Sequence, residues 1–387
     1  MDQQEKMPVI LIGASTRAMA YSCLRAGLQP FCVDLFADKD LMAVASVSNI
    51  SLAEYPMGMV QAVEQFPLHW SVIYTGGIEN HPQVYRAIEQ QRPVWGYTHP
   101  NPLHGNSIRN PKYLDVLAAE HRLHRPKHMW NNPPTQGVWL KKPLASAGGR
   151  GIQYWSQNEP VSPSHYLEEF LEGVPFSAIF LHNKQGTRYL GCSRQLIGTP
   201  WLHAPSLFSY CGNIGSIQLD SSSDDYLLHL GSILTKHDPF LAGLFGVDFI
   251  VNDNQINLIE VNPRYTASVE LLELASGQSY IAKHVQTYHE SFGSKQSSTS
   301  VQLIGKAVYY APSDCVFPHE APYFNQQIDD LWRIPQCADI PTAGILFAKG
   351  QPVLTLYAQG ADELEIVHRL REKAIELDEL LFHRFST

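Results

Sequence analysis

Only six cysteines stand in 387 residues (Cys23, Cys32, Cys192, Cys211, Cys315 and Cys337), and none forms a CxxC pair. That spacing excludes a thiolate zinc site and a disulfide framework and reads as free thiols in a reducing compartment. No segment reaches the roughly 18 apolar residues that a membrane span needs. The N-terminal MDQQEKMPVILIGAS has acidic residues before a short apolar run and no cleavage-site pattern, so it is not a signal peptide. Basic blocks are missing too. The 28 Lys and Arg are scattered among 37 Asp and Glu, giving a net charge of −9 and arguing against a nucleic-acid partner. With 44% hydrophobic and 17% charged residues the chain is a folded globular one, long enough for two to three domains. A cytoplasmic location is expected, with neither membrane nor nucleic acid as partner.

Val9–Gly13 is a short apolar run, followed by Met19, Cys23 and Leu24 at helical spacing, with Gly27 as a stop. Phe31–Leu35 reads as the next strand, and the pattern repeats at Ser71–Tyr74, Val84–Gln90 and Pro93–Trp95. Strand, helix, strand in about 30 residues is a βαβ unit, so residues 1–110 predict an α/β, doubly wound domain. Gly13-Ala14-Ser15-Thr16 lacks the later glycines of GxGxxG, which argues against a dinucleotide site. Asp34 ends the second strand as either a ligand-facing or a solvated carboxylate. A second domain is expected over 111–290, a linker at Ser291–Ser300, and a small C-terminal α+β domain over 301–387. That last domain carries strands at Lys306–Tyr310 and Pro352–Tyr357, then a helix with Leu364, Val367, Leu370, Ala374, Leu377 and Leu381 on one face.

The densest chemical signal is Lys141-Lys142-Pro143-Leu144-Ala145-Ser146-Ala147-Gly148-Gly149-Arg150-Gly151. It is no Walker loop, yet small residues let backbone N–H groups approach an anion, and Lys142 adds a full positive charge beside them. A hairpin tip would explain the glycines alone. A second signal is Asp248, a turn, then Glu260-Val261-Asn262-Pro263-Arg264. Glu260 and Asn262 share one strand face. A three-residue turn at Asp253 to Gln255 sets Asp248 opposite Glu260, whereas a two- or four-residue turn inverts its face. Three hard oxygen donors suit Mg²⁺ held together with phosphates. His121, His124 and His128 approximate helical spacing, but Pro126 interrupts them. The aromatic segment 201–213 is either a substrate-pocket loop or a packed connection.

Lys142-Pro143 with SAGGRGI, then Glu168-Glu169-Phe170-Leu171-Glu172-Gly173, then Asp248 and Glu260-Val261-Asn262-Pro263-Arg264, resemble in order and spacing the ATP-grasp ligases. The resemblance covers roughly residues 111 to 275 and implies an ATP-grasp fold between the two flanking domains. It makes Lys112 and Lys142 the phosphate-holding lysines and Gly148, Gly149 and Gly151 the loop closing over them. It makes Glu168, Glu169 and Leu171 the segment meeting the adenine. Pro175 stands where relatives place a ribose-binding carboxylate, so either Glu172 takes that role or the ribose is held otherwise. Asp248, Glu260 and Asn262 would be ligands of Mg²⁺, with Mn²⁺ as an alternative. Arg194 and Arg264 would face the transferred phosphate or the acyl group.

The resemblance extends to ligases of one-carbon cofactor biosynthesis and, more distantly, to tyramine–glutamate ligases. It implies a carboxylate–amine ligase that uses ATP, forms an acyl phosphate and releases ADP and phosphate. The N-terminal domain, Arg194, the 201–213 loop and Tyr265-Thr266-Ala267-Ser268 are the expected acceptor-recognition parts. Its partners would be a small carboxylate and an amine, with a homo-oligomer left open. Two rivals are bicarbonate activation in the manner of biotin carboxylase and a non-catalytic nucleotide-binding regulator.

Overall fold

A computed structural model describes residues 6–130, 134, 136–157, 159–293, 302–319 and 330–382. Most of the expected linker, 294–300, and the chain end, 383–387, lie outside the described residues.

Pro8–Ile12, Gln29–Asp34, Ser46–Asn49 and Val72–Tyr74 form a parallel four-stranded sheet, with the first of them interior. Parallel strands are covered on both faces, which is why Val9 to Ile12 are apolar without alternation and fully buried. The expected strand at Pro93–Trp95 is reduced to a single bridge between Val72 and Val94. Neither reading of Asp34 holds. The side chain is buried and accepts from Thr16 N (2.6 Å), Thr16 Oγ1 (2.8 Å), Phe36 N (2.8 Å) and Ala37 N (2.9 Å), tying two loops together.

The main sheet is antiparallel and eight-stranded. Its order is Gln255–Asn262, Gly243–Asn252, Val174–Asn183, Gly186–Ile197, Tyr210–Ile217, Ile304–Tyr310, Pro352–Gln359 and Cys337–Ala338. Alternation along Val174–Asn183 sends Phe180 toward the helix Ser221–His237, and Ile179 and Leu181 toward Ala267–Ser276 and Tyr280–Tyr288. Among the described residues beyond 301, Cys315–Val316 and Leu346–Phe347 pair as a small separate ribbon. The two long strands of this part extend the central sheet and carry the helix Glu363–Phe382. That helix buries Ile366, Leu370, Ala374, Leu377 and Leu381, while Leu364, expected on its inner face, is exposed. Gly305 permits the contact, since a Cβ there would lie 2.3 Å from Ile366. A second, antiparallel sheet of His128–Met129, His165–Glu169, Trp139–Pro143 and Gln153–Tyr154 faces the first across a cavity.

One buried carboxylate joins the three parts of the chain. Glu270, on the helix Ala267–Ser276, accepts from Arg17 Nη1, from Lys306 Nζ (3.2 Å) and from Tyr357 Oη (2.5 Å). Burial by itself would raise this carboxyl, but Arg17 and Lys306 hold it far below the usual range. One turn on, Glu273 is gripped by Arg25 (2.7 Å) and Ser22 (2.6 Å), and accepts from Tyr280 N (2.5 Å) at the start of the next helix. Glu270→Ala takes the carboxylate partner from the buried Lys306 and leaves the buried Arg17 with Asp40 alone (2.8 Å). The expected loss is about 3–5 kcal/mol in urea unfolding of the full chain, whereas the exposed Glu89→Ala changes stability by less than about 0.5 kcal/mol.

Candidate active site

The cavity between the two sheets has a volume of about 810 Å³. Strand alternation on Trp139–Pro143 decides which lysine enters it. Lys141 turns outward to Glu159 (2.5 Å), while Lys142 is buried and lines the cavity. Lys142 pairs with Tyr166 in register, and its Nζ donates to both oxygens of Glu168 at 3.1 Å. His128, buried between two acids, continues the chain. Its Nε2 lies 3.1 Å from Glu168 Oε2 and its Nδ1 2.7 Å from Asp115 Oδ1. Burial would raise the Glu168 carboxyl, but Lys142 first and then His128 bring it down to about 2. Burial would lower the Lys142 ammonium, and Glu168 more than reverses this, so the lysine stays charged. His128 is not legible as a partner of Glu168 from local spacing, because strand pairing of His128–Met129 with His165–Glu169 makes that contact and Asp115 joins it from the preceding helix.

The glycine-rich turn folds down as a roof. Gly148 O accepts from Tyr210 N (3.0 Å), and Ser146 O accepts from Asn80 Nδ2 (3.1 Å). Gly149 has φ +76, and a Cβ there would sit 1.8 Å from Phe208 O. Gly148 and Gly149 line the cavity, while Gly151 lies outside its wall against Pro143. At the far end Glu169, Leu171 and Glu172 line the cavity with Pro175, and Tyr154 makes edge contacts with Phe170 (5.5 Å) and Phe208 (5.3 Å). Lys112 is not brought in. Its side chain is exposed, with Nζ 4.4 Å from the Trp130 ring, and the cation on that side of the wall is Arg109.

Asp248 does face Glu260, by a route different from the one expected. Asn252 pairs with Gln255, so the turn is only Asp253-Asn254, both at positive φ (45° and 61°). That register alone would misplace Asp248. A bulge at Ile259 shifts the pairing by one residue, from Phe249–Leu258 to Asp248–Glu260, and restores the shared face. Asn262 Nδ2 donates to Asp248 Oδ2 (3.0 Å) and to Glu260 Oε1 (3.3 Å). Burial first, and then the Glu260 charge, push the Asp248 carboxyl up to about 7. The half-buried Asp248 carboxyl and the exposed Glu260 carboxyl, bridged by the Asn262 amide, are a donor set that a small divalent cation fits.

Beyond these acids, Arg264 Nε donates to the buried Glu79 Oε1 (2.6 Å) and Nη2 to Asn262 Oδ1 (3.2 Å). Arg194 lines the cavity and pairs with Glu363 at the start of the C-terminal helix. Thr266, Ala267 and Ser268 bring the N-terminus of the helix Ala267–Ser276 to the same wall, and the buried Thr266 Oγ1 has no hydrogen-bond partner in the structure. Tyr265 instead points away, donating to Ala18 O (3.3 Å). The 201–213 segment divides. Leu207, Phe208, Tyr210 and Asn213 line the cavity, while Leu202 packs in the C-terminal core and His203 pairs with Asp378 (2.7 Å). Among the described residues, none before Arg109 lines the cavity, so the N-terminal domain acts on it through Glu79 and Asn80.

Residues 109–268 match the model of the ATP-grasp domain family, and the two-sheet arrangement around the cavity is the ATP-grasp fold. The chain is 26% identical over 162 residues to tyramine–L-glutamate ligase of Methanocaldococcus jannaschii, a match covering 42% of this chain and 45% of that protein. It thus spans about half the length of that relative. An uncharacterised protein of the same organism is 19% identical over 384 residues, covering 91% and 88% of the two chains. Among solved structures, the biotin carboxylase domain of Hydrogenobacter thermophilus 2-oxoglutarate carboxylase, with MgADP and bicarbonate, superposes with a TM-score of 0.68. The identity is 12%, and 97% of this chain and 90% of that one are covered. N5-carboxyaminoimidazole synthetase of Staphylococcus aureus, with ADP, gives 0.65 at 11% identity, covering 95% and 98%. The likeness to these two structures is one of fold.

Two outcomes follow from the geometry. Gly149→Ala forces the roof off Phe208 and speeds limited proteolysis within 145–151, while Gly148→Ala, whose Cβ meets only Tyr210 Cβ at 4.0 Å, has the smaller effect. Because the folded Glu168 titrates near 2 and an unfolded one near 4.3, its stabilisation is complete above about pH 4.3 and fades as pH falls toward 2. Urea unfolding of Glu168→Gln between pH 2.5 and 6 is therefore less pH-dependent than that of the wild type.

Proposed function

We propose that the chain is an ATP-dependent carboxylate–amine ligase acting through an acyl phosphate. The observation that carries this reading is the convergence on one cavity of Lys142 beneath a glycine-rich roof, the Asp248–Glu260–Asn262 donor set, and the cations Arg264 and Arg194. Among the described residues lining it there is neither Cys nor His, so no side chain stands ready as an activated nucleophile. Chemistry there has to run between bound substrates.

In this reading the nucleotide lies under the roof, with its base toward Glu169 and Leu171 and its phosphates toward Lys142. Mg²⁺, held by Asp248, Glu260 and Asn262, supplies positive charge to the phosphate oxygens. Arg264, fixed by Glu79 and Asn262, and Arg194 orient the acid near the helix N-terminus at Thr266. A carboxylate oxygen attacks the γ-phosphorus and ADP leaves. The amine then attacks the acyl carbon and inorganic phosphate leaves, carrying one oxygen of the original acid. The tyramine–L-glutamate ligase match supports an amine as the second substrate; a place in one-carbon cofactor biosynthesis is part of the same proposal. A second reading, bicarbonate as the acid, draws support from the two carboxylating enzymes that share the fold over nearly the whole chain.

The experiment is a screen of acids and amines for ADP release, followed by turnover of the active acid labelled with ¹⁸O in its carboxylate. The expected products are ADP and phosphate containing one ¹⁸O, with an amide as co-product. Release of AMP and pyrophosphate, or unlabelled phosphate, defeats the acyl-phosphate mechanism; a carbamate or carboxylated product selects the bicarbonate reading. Lys142→Ala should weaken nucleotide binding about tenfold or more in calorimetry, with Lys141→Ala near wild type.

A further inference from the structure

Two helices end at the same place on the outside of the protein. Pro111–His121 stops at Arg122, which is left-handed (φ 57°), and Ser221–His237 stops at Asp238. Their last residues meet: His121 Nε2 and His237 Nε2 are 2.9 Å apart, with ring centroids 4.9 Å apart. Glu120 adds a carboxylate oxygen 3.8 Å from His121 Nε2, and the three donor atoms lie within 4.8 Å of one another. Asp238 is not part of the set, because its buried carboxylate is taken by Tyr97 Oη (2.7 Å), Ile108 N (3.1 Å) and Phe240 N (3.1 Å).

We propose that Glu120, His121 and His237 bind a zinc-class divalent cation, separate from the magnesium site of the cavity. Two imidazoles and one carboxylate suit Zn²⁺ and neighbouring transition metals, whereas Mg²⁺ takes oxygen donors. Tetrahedral bonds of about 2.0–2.1 Å place two ligand nitrogens about 3.3 Å apart, so the histidines need to part by only a few tenths of an ångström. Both helices present their C-termini here, and the partial negative charge of each end favours a cation between them. Glu120 and the two rings are partly exposed, so water completes the shell and the ion exchanges with solvent. The ion would clip Pro111–His121, whose Asp115 holds His128 and whose Pro111 and Leu114 line the cavity, to Ser221–His237, which packs on the central sheet through Leu227, Leu230 and Leu234. It sits about 10 Å along the helix from Leu114 on that wall, close enough to stiffen the nucleotide side and too far to touch substrate.

The full chain, stripped with EDTA and held in excess Mg²⁺ and ADP to mask the cavity, is titrated with ZnCl₂ by calorimetry and with CoCl₂ by visible absorption. One equivalent of Zn²⁺ is expected to bind, Co²⁺ to give tetrahedral d–d bands, and the melting temperature to rise with Zn²⁺. His121→Ala and His237→Ala each weaken Zn²⁺ binding at least about 100-fold and abolish the thermal shift. His121→Gln behaves as His121→Ala, and His69→Ala, at an exposed histidine of the N-terminal domain, binds as wild type. Circular dichroism checks that each variant is folded. Failure of the folded wild type to bind Zn²⁺, or binding undiminished in either folded histidine variant, overturns the proposal and leaves a plain His–His hydrogen bond.

Discussion

A carboxylate with no water around it must be met by positive charge, and at Glu270 that demand is answered from both flanks of the chain. Arg17 comes from the N-terminal sheet and Lys306 from the strands beyond residue 301, with Tyr357 beside it. The helix so held begins at the cavity wall, where Thr266, Ala267 and Ser268 face the space between the sheets. Breaking a buried pair costs far more than forming it gains. The ionic junction therefore serves chiefly to fix one arrangement, holding the wall at Thr266–Ser268 relative to the Asp248–Glu260 pair.

Much of this was legible in the residues. Apolar runs without alternation announced a parallel sheet covered on both faces, and strand parity separated Lys142 from Lys141. The residues at 248, 260 and 262 do share one face, as the spacing predicts, but not through a three-residue turn. The sequence pattern admits a count of turn residues but not a bulge, and the bulge at Ile259 decides the face. The residue pair Asp253-Asn254 was the readable hint, since both types tolerate the positive φ that a two-residue turn requires. Leu364 falls off the buried stripe because it lies two residues, about 200° of helical turn, from Ile366, the residue that packs on Gly305.

What stayed hidden depends on contacts across many residues. His128 meets Asp115 within one local segment but Glu168 only through the pairing of His128–Met129 with His165–Glu169, forty residues on. Asp34 looked like a strand-end acid because nothing local shows that Thr16, Phe36 and Ala37 all aim their donors at it. Lys112 sits on the expected helix, yet it is turned to Trp130, and the cation that lines the cavity there is Arg109, just before the helix begins. Glu79, which orients Arg264, lies in a stretch with no motif at all.

The continuity of the central sheet has a bearing on how the molecule comes to exist. Arg17 and Glu270 are separated by 253 positions, and the partners Lys306 and Tyr357 stand later still. Contacts of such long range close slowly, after local helices and hairpins have formed. As the chain leaves the ribosome, the N-terminal sheet can assemble early, whereas the helix bearing Glu270 has only Arg17 and Arg25 to pair with its two acids until the last strands arrive. The two halves of the grip thus mature together, and a nascent chain shorter than about Tyr357 would hold the parts of a cavity without the tension that shapes it.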